Sequence, residues 1–268
     1  MTVVLACVNL KGGVGKTTLA VNFAAYCGGK GLKTLLVDLD PQTNATFSCM
    51  SIEDWQKHSD QHGTVANLLG VRNHTSADGH ETKATDVILK DVFENVDLIP
   101  SHLDLFTVDL DLGSEVARER KLKNALKPVF DDYDVIVCDC PPNLTIPTQN
   151  ALAIASHYLV PVSPDFLSSL GVGLLLNRVK KLSVDLDNTI ELAGIAISRY
   201  GRKSNYREQT VETLRQQFDT VFETILTERT SVMEATGKNL NVFQTKDQKA
   251  IDEFEELSEE ILKALELA

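Results

Sequence analysis

Apolar residues along this chain gather into short, nearly continuous runs, and the stretches between them carry helical spacing. The clearest runs are Val3–Val8, Thr34–Val37, Val96–Ile99, Val135–Cys138, Tyr158–Val162 and Leu192–Ile197, with a weaker one at Thr220–Leu226. A run that is apolar at every position, rather than at alternate ones, suits a strand covered on both faces. Leu19, Phe23 and Tyr26 mark a helix after the first run, closed by Gly28-Gly29. Near the end, Ile251, Phe254, Leu257, Ile261 and Leu265 recur at helical spacing opposite an acidic face, as core packing requires. The alternation predicts an α/β fold, a mostly parallel twisted sheet with helices on both faces.

One segment breaks the rhythm. Ser51 to Lys90 is polar and holds four of the six histidines, His58, His62, His74 and His80, together with the only tryptophan, Trp55. His58 and His62 could share a helix face and hold a metal. No cysteine or helical HExxH pattern accompanies them, so the segment reads as a solvated, helix-containing insertion. The chain is expected to be a single domain over 1–268 with a polar insertion at about 51–90.

Composition changes this picture little. The formal net charge of −12 argues against a wholly basic nucleic-acid coat but leaves room for a local basic patch. The five cysteines form no CxxC pair and read as reduced, buried thiols. The apolar opening lacks a basic leader region and a cleavage site, and no run approaches membrane-spanning length. A cytoplasmic protein is expected.

The candidate chemistry starts where the first run ends, at Asn9-Leu10-Lys11-Gly12-Gly13-Val14-Gly15-Lys16-Thr17-Thr18. A glycine loop between a strand and a helix turns tightly and points consecutive N–H groups at phosphate oxygens, and the helix start adds its positive dipole end. Gly12, Gly13, Val14, Gly15, Lys16, Thr17 and Thr18 are therefore candidate nucleotide contacts. Lys16 is placed to reach the β/γ-phosphates and the Thr17 hydroxyl to ligate Mg²⁺. The general GxxxxGK[ST] pattern would put glycine at position 10, where this chain has Leu10.

Two carboxylate-bearing strand ends support the loop. Asp38 and Asp40 close the second run and project to one side of it, at the carboxyl edge where α/β sheets bind ligands. Asp139 ends the run Val135–Cys138, a Walker B arrangement that would hold Mg²⁺ directly or through water.

With these pieces on the page, the chain resembles the ParA/MinD family of deviant Walker ATPases, and within it the ParA-type partition and cargo-positioning proteins. The matching stretches are KGGVGKTT (11–18), VDLDPQTNAT (37–46), LIPSHLDL (98–105) and VIVCDCPPNL (135–144), with a weaker match at VMEAT (232–236). The resemblance implies a P-loop NTPase fold of the deviant Walker A type, ATP and Mg²⁺ as cofactors, and an ATP-dependent sandwich homodimer. In that dimer Lys11 would cross to the partner's phosphates. Asp40 would help position the attacking water and Asp38 would stand beside the metal. It also implies that the dimer binds double-stranded DNA without sequence preference, associates with the nucleoid when ATP-bound, and is released when an adaptor protein stimulates hydrolysis.

The surface charges bear on the partners. Gln248 to Ala268 carries seven acids and two bases, so an anionic membrane would repel it and membrane targeting is not expected. Positive charge concentrates later in the chain, and the run Ser198 to Arg207 makes Arg199, Arg202, Lys203 and Arg207 the candidate phosphate contacts on DNA. Leu226 to Ser231 departs from the family, which often has a proline and basic residues there. The alternative is a metabolic P-loop enzyme, such as an amidoligase-like synthetase, that spends ATP on a small molecule.

Overall fold

A computed structural model describes residues 2–71, 82–165 and 168–268. The strands are β1 (Val3–Cys7), β2 (Thr34–Asp38), β3 (Leu89–Phe93), β4 (Val96–Ile99), β5 (Val135–Asp139), β6 (His157–Val162), β7 (Glu191–Tyr200) and β8 (Val221–Thr227). They form an eight-stranded sheet in the order β3-β4-β2-β5-β1-β6-β7-β8. All neighbours are parallel except β3 and β4, which are antiparallel. The order reverses around β1, and the crevice beyond the carboxyl ends of such strands is where open α/β sheets take ligands.

Side chains alternate across the sheet, so each strand feeds two cores. Val4 and Ala6 of β1 join Val37, Ile136 and Val160 on one face, under the helices Ile146–Ile154, Ser168–Asp185 and Asn205–Gln217. Leu5 and Cys7 face the other way, with Leu36, Val137 and Leu159, under Lys16–Gly29 and Gln248–Ala264. Phe254, Leu257, Ile261 and Leu265 of the last helix are buried in that second core. The first helix ends at Gly29, where the Gly28-Gly29 pair is expected to close it. A Cβ on Gly28 would lie 2.1 Å from the Glu94 carbonyl oxygen, so glycine is required by a close approach.

β3 has no counterpart among the apolar runs. Leu-Lys-Asp-Val-Phe mixes polar and apolar residues because β3 is an edge strand, with Lys90 and Asp91 exposed and Phe93 buried. The segment before it contains helices, and the first of them is exposed apart from Trp55, His58 and Ser59. Its helices Ile52–Gln61, Val65–Leu68 and Ala84–Val87 bury Trp55, Val65, Leu69 and Val87. The Trp55 indole donates to the Ser101 carbonyl at 2.9 Å and stacks on His102 at 5.3 Å. His58 is buried and bonds the Val87 carbonyl at 2.8 Å, which gives its ring a structural partner. His74 and His80 lie outside the described residues.

β8 forms the opposite edge, and the last helix trims it. Glu260 accepts from the backbone N–H groups of Glu223 and Thr224 at 2.7 and 2.9 Å, and Glu253 from that of Thr227 at 2.8 Å. Among the described residues no helix is long and apolar enough to cross a membrane.

Candidate nucleotide site

The loop after β1 gets its shape from two left-handed glycines, Gly13 at φ +74° and Gly15 at φ +84°. Gly15 caps the helix Lys16–Gly29, which has no side-chain cap and no acid in its first turn. Its first N–H groups and positive dipole end are thus left for an anion from outside the chain. Lys16 is 6% exposed, with its ammonium bonded to the Lys11 carbonyl at 3.2 Å. Burial lowers its pKa, and the nearby Asp139 and Asp40 pull it back up.

Strand register brings the carboxylates together. Asp38 and Asp139 are direct partners in the β2–β5 pairing, and Cys7 at the foot of the loop pairs with Asp139 from the other side. Asp38 is fully buried. Its oxygens accept from the Asp40 N–H at 3.1 Å, the Thr46 N–H at 2.8 Å and the Thr46 hydroxyl at 2.7 Å. Burial still pushes its pKa up to about 7. Asp38 is therefore a brace that shapes the turn after β2, with its oxygens already occupied. Asp40 is 6% exposed, uses one oxygen to accept from Gln42 N–H at 2.9 Å, and lines the cavity.

Asp139 is different. It is fully buried, and neither carboxylate oxygen has a hydrogen-bond partner. Burial and the neighbouring Asp38 push its pKa far above the usual carboxylate range. Thr17 stands near enough to draw it down, though without the geometry of a formed hydrogen bond. A buried carboxylate without a partner is costly, and a divalent cation would relieve that cost. Thr17 and Asp139 fit a Mg²⁺ ion as hard oxygen donors on one side of a phosphate site.

Above them lies a cavity of about 420 Å³, within the roughly 300–1,000 Å³ typical of small-molecule sites, lined by Lys16, Thr17 and Asp40 but by neither Asp38 nor Asp139. Gly12, Gly13, Gly15, Lys16, Thr17 and Thr18 form its floor, and Asp40, Gln42, Asn44 and Pro142 one wall. The opposite wall is Ser198, Arg199 and the end of β8 with Leu226 to Arg229, closed by Met233 and Phe254. The sequence singled out neither Ser198 nor Glu228 as nucleotide contacts. Their signal was position, since both stand at the carboxyl end of a parallel strand.

The four basic residues assigned to DNA do not stay together. Arg199 turns onto the phosphate loop, donating from Nη1 to the Gly13 carbonyl at 2.5 Å and from Nε to Glu228 at 3.0 Å. Its side chain nevertheless stays about half exposed, at 46%. Arg202 and Lys203 are exposed, with Lys203 paired to Glu208 at 2.7 Å. Arg207 donates to the Arg202 carbonyl at 2.7 Å and packs over Gly201. Lys11, 59% exposed, pairs with Asp165 of its own chain just past β6.

The family model described as "AAA domain" matches residues 2–192. The chromosome-partitioning ATPase Soj of Treponema pallidum is 34% identical over 260 residues, covering 96% of each chain. The chain belongs to the ParA/MinD family of P-loop ATPases. As a ParA-type ATPase its cofactors are ATP and Mg²⁺. Among solved structures, a plasmid partition protein from Borrelia burgdorferi bound to AMPPNP shares the fold with TM-score 0.80 at 22% identity, covering 98% of this chain and 99% of that one. Cobyrinic acid a,c-diamide synthase from Mycobacterium smegmatis, with bound ATP analogue and magnesium, matches at TM-score 0.72 and 27% identity, over 89% of this chain and 93% of that one.

Proposed function

We propose that this ATPase segregates or positions a cargo by cycling between a monomer and an ATP-bound sandwich dimer that rests on DNA. The observation that carries the reading is Lys11. It sits on the phosphate loop, yet its ammonium reaches outward to Asp165 instead of into its own cavity. A cation on the rim of the loop is available to a second copy facing it. There it would neutralise charge on the partner's transferring phosphoryl group, the largest electrostatic demand of phosphoryl transfer. Asp40, lining the cavity with one oxygen uncommitted to Gln42, would orient the attacking water.

Exchange of Lys11 from Asp165 to a partner's phosphates is then part of dimer formation. An exposed pair of this kind is worth at most about 1 kcal/mol, so it is easily given up. In Lys11→Ala, ATP-induced dimerisation is expected to weaken by about tenfold or more, since a charge-assisted contact across the interface is lost. Light scattering with ATP, with ADP and without nucleotide reads this directly. Normal ATP-driven dimers in that variant would remove Lys11 from the partner's site.

DNA retention rests on phosphate contacts by Arg202, Lys203 and Arg207, doubled on one face by dimerisation. Screening limits the reach of the net −12 charge to about 8–10 Å in physiological salt, so local cations decide at contact. Retention on unrelated duplexes is expected to require ATP and to fall steeply with salt. Changing these three residues to Glu should abolish it, with ATP-driven dimerisation as the control for folding. Retention that ignored ATP, or that survived the three reversals, would move the DNA contact elsewhere. A small adaptor protein would complete the cycle by accelerating hydrolysis, and the active dimer would be found on the nucleoid. The likeness to the cobyrinic acid synthase favours one other reading, ATP spent on a small molecule. Turnover that required a small-molecule acceptor would establish it.

A further inference from the structure

Two consecutive residues at the end of β7 grip the outer side of the phosphate loop. The Ser198 hydroxyl donates to the Val14 carbonyl at 2.5 Å, and Arg199 Nη1 donates to the Gly13 carbonyl at 2.5 Å. A peptide unit holds its N–H and C=O on opposite sides, so fixing a carbonyl outward fixes the orientation of the peptide plane. In a phosphate loop the N–H groups have to face the anion together, and these two bonds hold the loop in that sense from the cavity's far wall. The loop is glycine-rich where the grip lies. A Cβ on Gly13 would come within 3.4 Å of Arg199 Nη1, and one on Gly15 within 3.6 Å of Arg199 Cγ.

Arg199 is itself held. Its backbone is left-handed, at φ +50°, a conformation that a residue with a side chain keeps only when its surroundings fix it. Its Nε and Nη2 both donate to one oxygen of Glu228, at the end of β8. The Glu228 N–H donates in turn to the Tyr200 carbonyl at 3.1 Å, which ties the two strand ends together. One guanidinium thus joins the loop after β1 to the far wall of the cavity. The planar fork of arginine suits this double duty, and an ammonium could serve only part of it.

We propose that Arg199, oriented by Glu228, is a positioning residue for the nucleotide, holding the phosphate loop in its anion-accepting shape. The pair also settles the charge of the cavity mouth, because Glu228 lines the same cavity and, unpaired, would repel a polyphosphate. The inference rests on the ATP site and is independent of the DNA and dimer reading, since it concerns nucleotide binding to one chain.

The test is equilibrium binding of Mg-ATP and Mg-ADP to the full chain, with steady-state hydrolysis alongside. Arg199→Met is expected to weaken both nucleotides by about tenfold, the worth of a charge-assisted hydrogen bond. KM should rise by about as much while kcat stays within roughly threefold, because the loop's shape is needed by ground and transition state alike. Arg199→Lys should recover part of the affinity. Glu228→Gln should weaken binding less than Arg199→Met, and the double variant should be no weaker than Arg199→Met alone, since Glu228 acts through the arginine. Wild-type affinity in Arg199→Met, or losses that multiply in the double variant, would overturn the proposal. So would loss of DNA retention with nucleotide affinity intact, which would return Arg199 to the DNA surface. If Arg199→Met does not fold, Arg199→Lys and Glu228→Gln decide, and unchanged affinity in both overturns it.

Discussion

Lys16→Ala is expected to abolish ATP hydrolysis, with kcat/KM down by about 10³ or more, because one cation serves the whole phosphate floor. Lys16 is buried at the mouth of the first helix, with Asp139 and Asp40 as its charged neighbours. With its ammonium gone, the floor of Gly12, Gly13, Gly15, Thr17 and Thr18 would hold no positive side chain. An incoming polyphosphate would meet only backbone N–H groups and Mg²⁺ there, since Arg199 and Arg229 on the far wall are both engaged by glutamates. Binding of fluorescent ATP should therefore fail together with turnover. Retained turnover within tenfold of the wild-type rate would show that the loop amides and the metal suffice, and Lys16 would lose its role.

Asp139→Asn should act in two opposite directions. Without nucleotide the variant is expected to be more stable, by about 1–3 kcal/mol, because a buried carboxylate without a partner is replaced by a neutral group. For a chain of this size that is a rise in Tm of roughly 2–6 °C. With Mg²⁺ and ATP the stabilisation seen in the wild type should largely disappear, since the metal loses a charged oxygen donor. The sign of the pH dependence follows from the same burial. Asp38, at about 7, and Asp139, also pushed up by burial, keep protons in the folded state that the unfolded chain releases near the ordinary carboxylate value of about 4. The nucleotide-free wild type should therefore lose stability as pH rises above about 4 and through 7, and the variant should lose less. Differential scanning fluorimetry between pH 5 and 8, with and without Mg-ATP, measures both effects. A destabilised Asp139→Asn protein whose Tm still rises with Mg-ATP would show that Asp139 is structural.

Much of this site was legible because strand ends and loop carry strong local signals. The glycines, Lys16 and Thr17 are contiguous, and Asp38, Asp40 and Asp139 each end an apolar run. Apolar runs located seven of the eight strands, since strands buried on both faces leave no polar alternation to confuse them. β3 escaped because an antiparallel edge strand reads as Leu-Lys-Asp-Val-Phe, which looks like loop. The buried side chains of the segment before it were hidden for a related reason. Isolated residues such as Trp55 and His58 are buried through partners 29 to 46 positions away, which no local window contains. Arg199 was grouped by charge density with Arg202 and Lys203, and its bonds to Gly13 and Glu228 join residues 186 and 29 positions apart, outside any local window. The distinction between Asp38 as a brace and Asp139 as a bare carboxylate is likewise a matter of partners, Thr46 above all.

The glutamates along the last helix give its acidity a purpose unrelated to membranes. An outermost strand offers backbone donors to any other chain that can lie alongside it, and exposed strands of this kind are where sheets stick to one another. In β8 three of the seven N–H groups, those of Glu223, Thr224 and Thr227, are already taken by Glu260 and Glu253. A strand arriving from a neighbouring molecule would have to displace two charged side chains to find a hydrogen-bonding register. The rim of negative charge around them would resist a second acidic copy of the same edge. The helix thus guards the sheet against unplanned growth, leaving association between copies to faces other than this margin.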